Sequence, residues 1–196
     1  MSYLKKLFAT VLILSTVYNP GQLVAQQTAK AASVQNYLSS PETIVIGGTN
    51  YHLSWSSNPA EGYYKQEYLP KGQDAEKFTD LLLVEAVNGE LTIKQAADAQ
   101  VQMLKERKAT DPVVNYSIIE NKDKTEIILD FLMSEGDIVE WNAYRYKMVD
   151  EKAVLLFGMS KRSYGDSTQF LTALKSDRAT YIKQLATAEI PKVKVP

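Results

Sequence analysis

The sequence predicts an α/β (α+β) fold, an α/β/α sandwich with a mainly antiparallel sheet. Three observations predict it. Four β-rich segments between residues 113 and 162 are joined by polar turns too short for a parallel crossover, which needs a dozen residues or more. Helix signals begin at Thr92 and at Ser167, one before and one after those segments. The second and fourth segments carry apolar groups on both faces, so the sheet needs cover on both sides.

Along the chain, Thr43-Ile44-Val45-Ile46 leads through Gly47-Gly48-Thr49-Asn50 into the alternating Tyr51-His52-Leu53-Ser54-Trp55-Ser56, the pattern of a β-hairpin with Tyr51, Leu53 and Trp55 inward. Asn58-Pro59-Ala60-Glu61-Gly62 is a second turn. Tyr63 to Leu69 follows as a strand, ended by Pro70-Lys71-Gly72. Asp74 is placed to cap a short helix through Asp80, and Leu81-Leu82-Leu83-Val84 continues as a buried strand or a helix extension, which periodicity does not separate. Thr92-Ile93-Lys94-Gln95 has the form of a capping box, in which hydroxyl and amide satisfy free backbone donors at a helix start. Ile93, Ala97, Val101 and Leu104 then share one stripe, and Asp111-Pro112 closes the segment.

The meander comprises Val113 to Glu120, Thr125 to Met133, Ile138 to Val149 and Ala153 to Arg162. Ile127, Leu129, Phe131 and Met133 share a face, with Ile128 and Leu132 on the other; Leu155, Phe157 and Met159 oppose Val154 and Leu156. The closing helix, Ser167 to Ala186, offers the stripe Phe170, Leu171, Leu174, Tyr181, Ile182 and Leu185.

The N-terminus reads as an address. Lys5 and Lys6 precede the apolar run Leu7 to Val17, and Asn19-Pro20-Gly21 break it before Ala25, the order of a secretory signal peptide. The run is too short to span a bilayer, so no stable membrane span is expected after cleavage. Cleavage is expected after Ala25, with Ala29-Lys30-Ala31 as a second site. The expected organisation is a signal peptide over 1–25, a flexible segment over 26–41, one globular domain over 42–190 and a loose tail over 191–196. A periplasmic or extracellular location follows.

Composition removes several function classes. With 22 basic and 23 acidic residues the formal charge is −1, which leaves no basic excess for nucleic acid. One histidine and no cysteine exclude a thiolate zinc site, an iron–sulfur cluster, a disulfide, a cysteine nucleophile and a lipid-anchored N-terminus. Neither phosphate-binding G-x-x-x-x-G-K-[ST], dinucleotide G-x-G-x-x-G nor a calcium-type D-x-D-x-D-G loop occurs, so no cofactor and no metal are expected. Asn115-Tyr116-Ser117 fits the N-glycosylation pattern, which has meaning only in a eukaryotic secretory pathway.

The order hairpin, strand, helix, antiparallel meander and C-terminal helix, over Thr43 to Ala186, resembles the Mog1/PsbP-like fold. Tyr64-Lys65-Gln66-Glu67-Tyr68-Leu69-Pro70 and Trp141-Asn142-Ala143-Tyr144-Arg145-Tyr146 are similar to stretches of uncharacterised exported proteins from Gram-negative bacteria. The resemblance implies a binding or accessory module, and no functional residue is carried over by it.

Three groups of residues are candidates for function. His52 and Ser54, two apart on a strand, would share a face, where an imidazole can serve a hydroxyl nucleophile; the same positions suit the wet side of an alternating strand, and that reading is preferred. Asp130 and Glu140 would approach across the turn Ser134-Glu135-Gly136-Asp137 as an acid/base pair, or stand as edge charges beside cations such as Arg145 or Lys124. Tyr64, Gln66 and Tyr68 project from one face of a strand bounded by turns containing Pro59 and Pro70, which predicts a sheet edge and a protein-binding surface. The expected function is a non-catalytic exported module that contacts a protein partner or small ligand, with a small hydrolase as the alternative.

Overall fold

Among the described residues, ten elements make one antiparallel sheet with a helix on each side. The computed structural model describes residues 34–149 and 152–196; the predicted signal peptide, residues 26–33 and two positions of one predicted turn, Asp150 and Glu151, lie outside the described residues. The strands are β1 (Thr43–Ile46), β2 (Thr49–Ala60), β3 (Tyr63–Pro70), β4 (Asp80–Asn88), β5 (Asn115–Glu120), β6 (Glu126–Glu135), β7 (Ile138–Val149) and β8 (Ala153–Tyr164). Helix α1 (Ile93–Arg107) lies between β4 and β5, and α2 (Thr168–Thr187) follows β8. The sheet order is β1-β2-β3-β4-β8-β7-β6-β5. Through α1 the chain passes from β4 to the far edge, and the meander runs back until β8 lies beside β4.

The predicted four-strand meander is present as β5 to β8, every pair antiparallel. The capping box is also present: Gln95 N donates to Thr92 Oγ1 at 3.2 Å, and Thr92 N donates to Gln95 Oε1 at 2.9 Å. Ile93, Ala97, Val101 and Leu104 are all buried, together with Ala96 and Gln100. Leu81, Leu83, Leu129, Phe131 and Tyr144 pack on the α1 side. Tyr68, Leu82, Val84, Trp141 and Phe157 pack on the α2 side. Apolar groups on both faces are covered as the alternation requires.

Three expectations are corrected, and one left open is decided. No helix forms over Asp74–Asp80; Asp74 Oδ1 instead accepts from Glu76 N and Lys77 N at 3.0 and 2.8 Å, a local turn that delivers Phe78 to the core before β4 begins. The segment Leu81–Val84 is therefore strand. The β2 alternation breaks at Ser54, where the register with β3 shifts, so Tyr51 and Leu53 stay on the α2 side while Trp55 is exposed opposite Glu67. Strand β3 is not an edge, because β2 and β4 pair with its two sides.

The described segments that flank the domain are also tied to it. Leu38 is buried and its N–H donates to Gln66 Oε1 at 2.8 Å, so the segment reaching residue 41 is anchored at that end. In the 191–196 tail, Lys194 N donates to Leu38 O at 2.7 Å, and Val193 and Val195 pack on the α2-side core.

Candidate functional site

A charged cluster lies on the α1 side of the sheet, built on β3, β4, β7 and β8. Small residues of β8 make room at its centre. A Cβ at Gly158 would stand 2.9 Å from Tyr144 Cδ1, so glycine lets that ring lie across β8. One step along the same face, Ser160 donates its hydroxyl to Asn142 Oδ1. Long charged side chains from the neighbouring strands converge around these small residues. Lys65 Nζ on β3 lies 3.3 Å from Glu85 Oε1 on β4 and 3.8 Å from Glu67 Oε1. Tyr63 donates its phenol to Glu85 Oε2 at 2.8 Å. Arg162 on β8 binds Glu140 Oε2 on β7 through Nε at 2.6 Å and Nη2 at 2.5 Å, and its guanidinium stacks 4.0 Å from the Phe78 ring.

Burial governs the electrostatics of this cluster. It would lower the Lys65 pKa, but the carboxylates of Glu85 and Glu67 outweigh it, so Lys65 is held charged above its ordinary value. Burial raises the Glu67 pKa; Lys65 and Arg162 oppose that, Glu85 and Glu140 add to it, and the net shift is upward. Three carboxylates face two cations. Glu67 is the least closely compensated of the three, because it shares Lys65 with Glu85 at the longer of the two distances and Arg162 is bound to Glu140. It is also the most accessible, with its side chain 20% exposed against 6% for Glu85 and Glu140. Directly across the strand stands the exposed indole of Trp55. An organic cation can therefore meet a carboxylate and an aromatic face together. On β7, Asn142 Nδ2 is buried with no hydrogen-bond partner among the described residues.

The residues singled out from sequence fall elsewhere. Tyr64, Gln66 and Tyr68 line the α2 side of β3, where Gln66 and Tyr68 are fully buried and Tyr64 is half-buried, its ring 6.0 Å from that of Tyr37. Ser40 Oγ and Tyr68 OH are 2.5 Å apart, and Gln66 Nε2 donates to Ser40 Oγ at 3.1 Å, so these polar groups bind the segment before β1. The open aromatic surface expected there is absent because β3 is an interior strand.

Asp130 and Glu140 are not brought together. In the β6–β7 register Asp130 faces Ala143 and Glu140 faces Met133, which places the two carboxylates on opposite sides of the sheet. Asp130 accepts from Trp141 Nε1 at 2.6 Å, Ser117 Oγ at 2.7 Å and Arg178 Nε at 2.9 Å, and it is fully buried on the α2 side. Its partner is Arg178 of α2, not Arg145 or Lys124. His52 and Ser54 do not form a base and nucleophile: the Ser54 hydroxyl donates to the His52 carbonyl at 2.7 Å, and His52 Nδ1 lies 3.1 Å from Thr43 Oγ1.

Of the cluster residues, Lys65 and Glu67 are visible in sequence only as the opposite face of β3. Glu85 had one signal, a carboxylate inside the apolar run from Leu81 to Val87.

Residues 38–190 match a protein-family model, well over half of the chain. The chain belongs to that family. The matched span takes in the eight strands and two helices of the described residues and every residue of the charged cluster. No curated protein matches the sequence. Among the described residues no helix is long and apolar enough to cross a membrane.

Proposed function

We propose that this protein is an exported, non-catalytic binding module that takes an organic ammonium group, on a small molecule or a lysine side chain of a partner protein, between Glu67 and Trp55. The observation that carries this reading is the least closely compensated carboxylate, Glu67, directly across the strand from an exposed indole. A carboxylate supplies the charge and the indole supplies the π face; together they discriminate an ammonium from a neutral group of the same shape. The contacts of Glu85 with Lys65 and Tyr63 and of Glu140 with Arg162 favour binding over proton transfer, since a carboxylate already held by a cation is a weak base. Export is supported by Lys5-Lys6, the apolar run from Leu7 and Ala25, and the resemblance to Mog1/PsbP-like domains favours an accessory role.

The test is a titration with n-butylammonium against n-butanol as the uncharged control, followed by indole fluorescence and the Trp55 side-chain resonance. Saturable binding of the cation alone is expected, weakened about tenfold or more by Glu67→Gln and by Trp55→Ala. Binding should also weaken as pH falls through the raised Glu67 pKa, because only the ionised carboxyl attracts the cation. Equal response to the alcohol, or indifference to Glu67→Gln, would sink the ligand assignment. For export, N-terminal sequencing of the protein recovered from its host should begin at Gln26; an intact Met1 would remove that part.

A further inference from the structure

Strand β5 ends the sheet. It pairs with β6 on one side, and among the described residues no strand lies on the other. Asn121 N donates to Glu126 O at 3.2 Å, which sets the phase of the β5–β6 ladder. Since antiparallel bonding alternates, Asn115, Ser117 and Ile119 direct their backbone groups to β6, while Tyr116, Ile118 and Glu120 turn N–H and C=O outward. An edge of this kind is normally blunted by lysine, proline or a bulge. None of these interrupts β5, and its two isoleucines are open on both faces: Ile118 on the α1 side is 46% exposed and Ile119 on the α2 side is 43% exposed.

We infer that β5 is a dimerisation edge that pairs antiparallel with β5 of a second copy of this chain, about a two-fold axis through Ile118. The occupant follows from the self-complementarity of the strand. An axis perpendicular to the sheet keeps the α1 sides of both copies together, so only residues on the same face are brought opposite each other. With Ile118 on the axis, the outward backbone groups of Tyr116, Ile118 and Glu120 meet their counterparts in about six hydrogen bonds. Ile118 packs on Ile118, Ile119 lies opposite Ser117, and Tyr116 lies opposite Glu120, a phenol donor against a carboxylate on each side of the axis. Glu120 is the strand's only charged residue, and in this register it does not meet its own copy. The other edge, β1, has four residues with Ile44 and Ile46 already buried, and so offers less. The β5 edge is independent of the ammonium site, which lies near the opposite end of the sheet.

The chain has no cysteine, so a single introduced thiol reports the register. In the proposed dimer the two copies of residue 118 form a hydrogen-bonded pair with Cα atoms about 5.5 Å apart, inside disulfide range. The two copies of residue 119 lie about 8 Å apart, outside it. Sedimentation of the intact chain over a concentration series should show a reversible species of twice the monomer mass. Under mild oxidation Ile118→Cys should give a covalent dimer rapidly, and Ile119→Cys and Val45→Cys should not. Ile118→Lys places two ammonium groups on the axis and should abolish the dimer without lowering the thermal midpoint, the side chain being open to solvent in the monomer. Monomer at every concentration, a dimer that survives Ile118→Lys, or faster cross-linking at position 45 would each overturn the proposal.

Discussion

Asp130 shows how one polar residue in an apolar strand can be structural. It is fully buried, yet Trp141, Ser117 and Arg178 donate to both its oxygens, so the charge is compensated and a helix is tied to the sheet by the same group. Removing it would leave the Trp141 N–H unpaired under the helix and strip Arg178 of its partner. Asp130→Ala should therefore cost about 3 kcal/mol, measured by urea unfolding. The value lies below that for a fully buried pair because Arg178 is 35% exposed and can turn to water. A change below about 0.5 kcal/mol would show that the cluster adds nothing net.

The two helices are held by different means. Helix α1 starts in a reciprocal capping box and presents Ala96 and Ala97 to the sheet, so its backbone approaches closely. Helix α2 has no side-chain cap at Ser167 and fully buries only Leu174 and Leu185. Its far end is instead held from the sheet: Arg145 Nη1 on β7 donates to the carbonyls of Leu185 and Ala188, both at 2.9 Å, satisfying acceptors that the last turn leaves free. Thr92→Ala should lower stability by about 1 kcal/mol and speed amide exchange in the first turn of α1 before any effect reaches α2. Unchanged exchange at Gln95 would show that the cap bond is not made in solution.

Across the whole molecule, two carboxylates join parts of the fold that are distant in sequence, and their titration predicts acid sensitivity. Burial alone would raise the Asp111 pKa, but hydrogen bonds from Ser134, Arg107 and Val113 hold it below its ordinary value. Burial likewise opposes the shift at Glu126, where Lys147 and Arg145 prevail and hold the carboxyl low. A depressed folded-state pKa contributes stability that is full above the unfolded value of about 4 and is lost as pH falls through the lower folded value. Stability should thus decline from about pH 5 downward. The double variant Asp111→Asn, Glu126→Gln should be less stable at neutral pH but lose less on acidification. Glu67 has the opposite sign: its raised pKa makes Glu67→Gln neutral or stabilising at pH 7, an effect that fades in acid. Parallel pH profiles for the double variant and the unaltered chain would refute the assignment of acid sensitivity to this pair.

The amino-acid sequence by itself determined the types and order of most elements. Turn lengths made β5 to β8 antiparallel neighbours, Thr92 and Gln95 marked the start of α1, and apolar groups on both faces required two covering layers. These are local properties, set by periodicity and capping within a few residues of each position. The tertiary structure alone decided which strands from distant parts of the chain lie side by side. Glu85 pairs with Leu156 only because α1 carries the chain to the far edge and the meander returns β8 to β4. That placement turned β3 from an edge into an interior strand, buried Gln66 and Tyr68, and gathered Lys65, Glu67, Glu85, Glu140 and Arg162 into one cluster. A shift of one residue at Ser54 put Trp55 opposite Glu67, where strict alternation would have buried it. Side-chain period in a strand is two, so register and bulges settle which face every group occupies, and both depend on the pairing partner rather than on the strand's own residues.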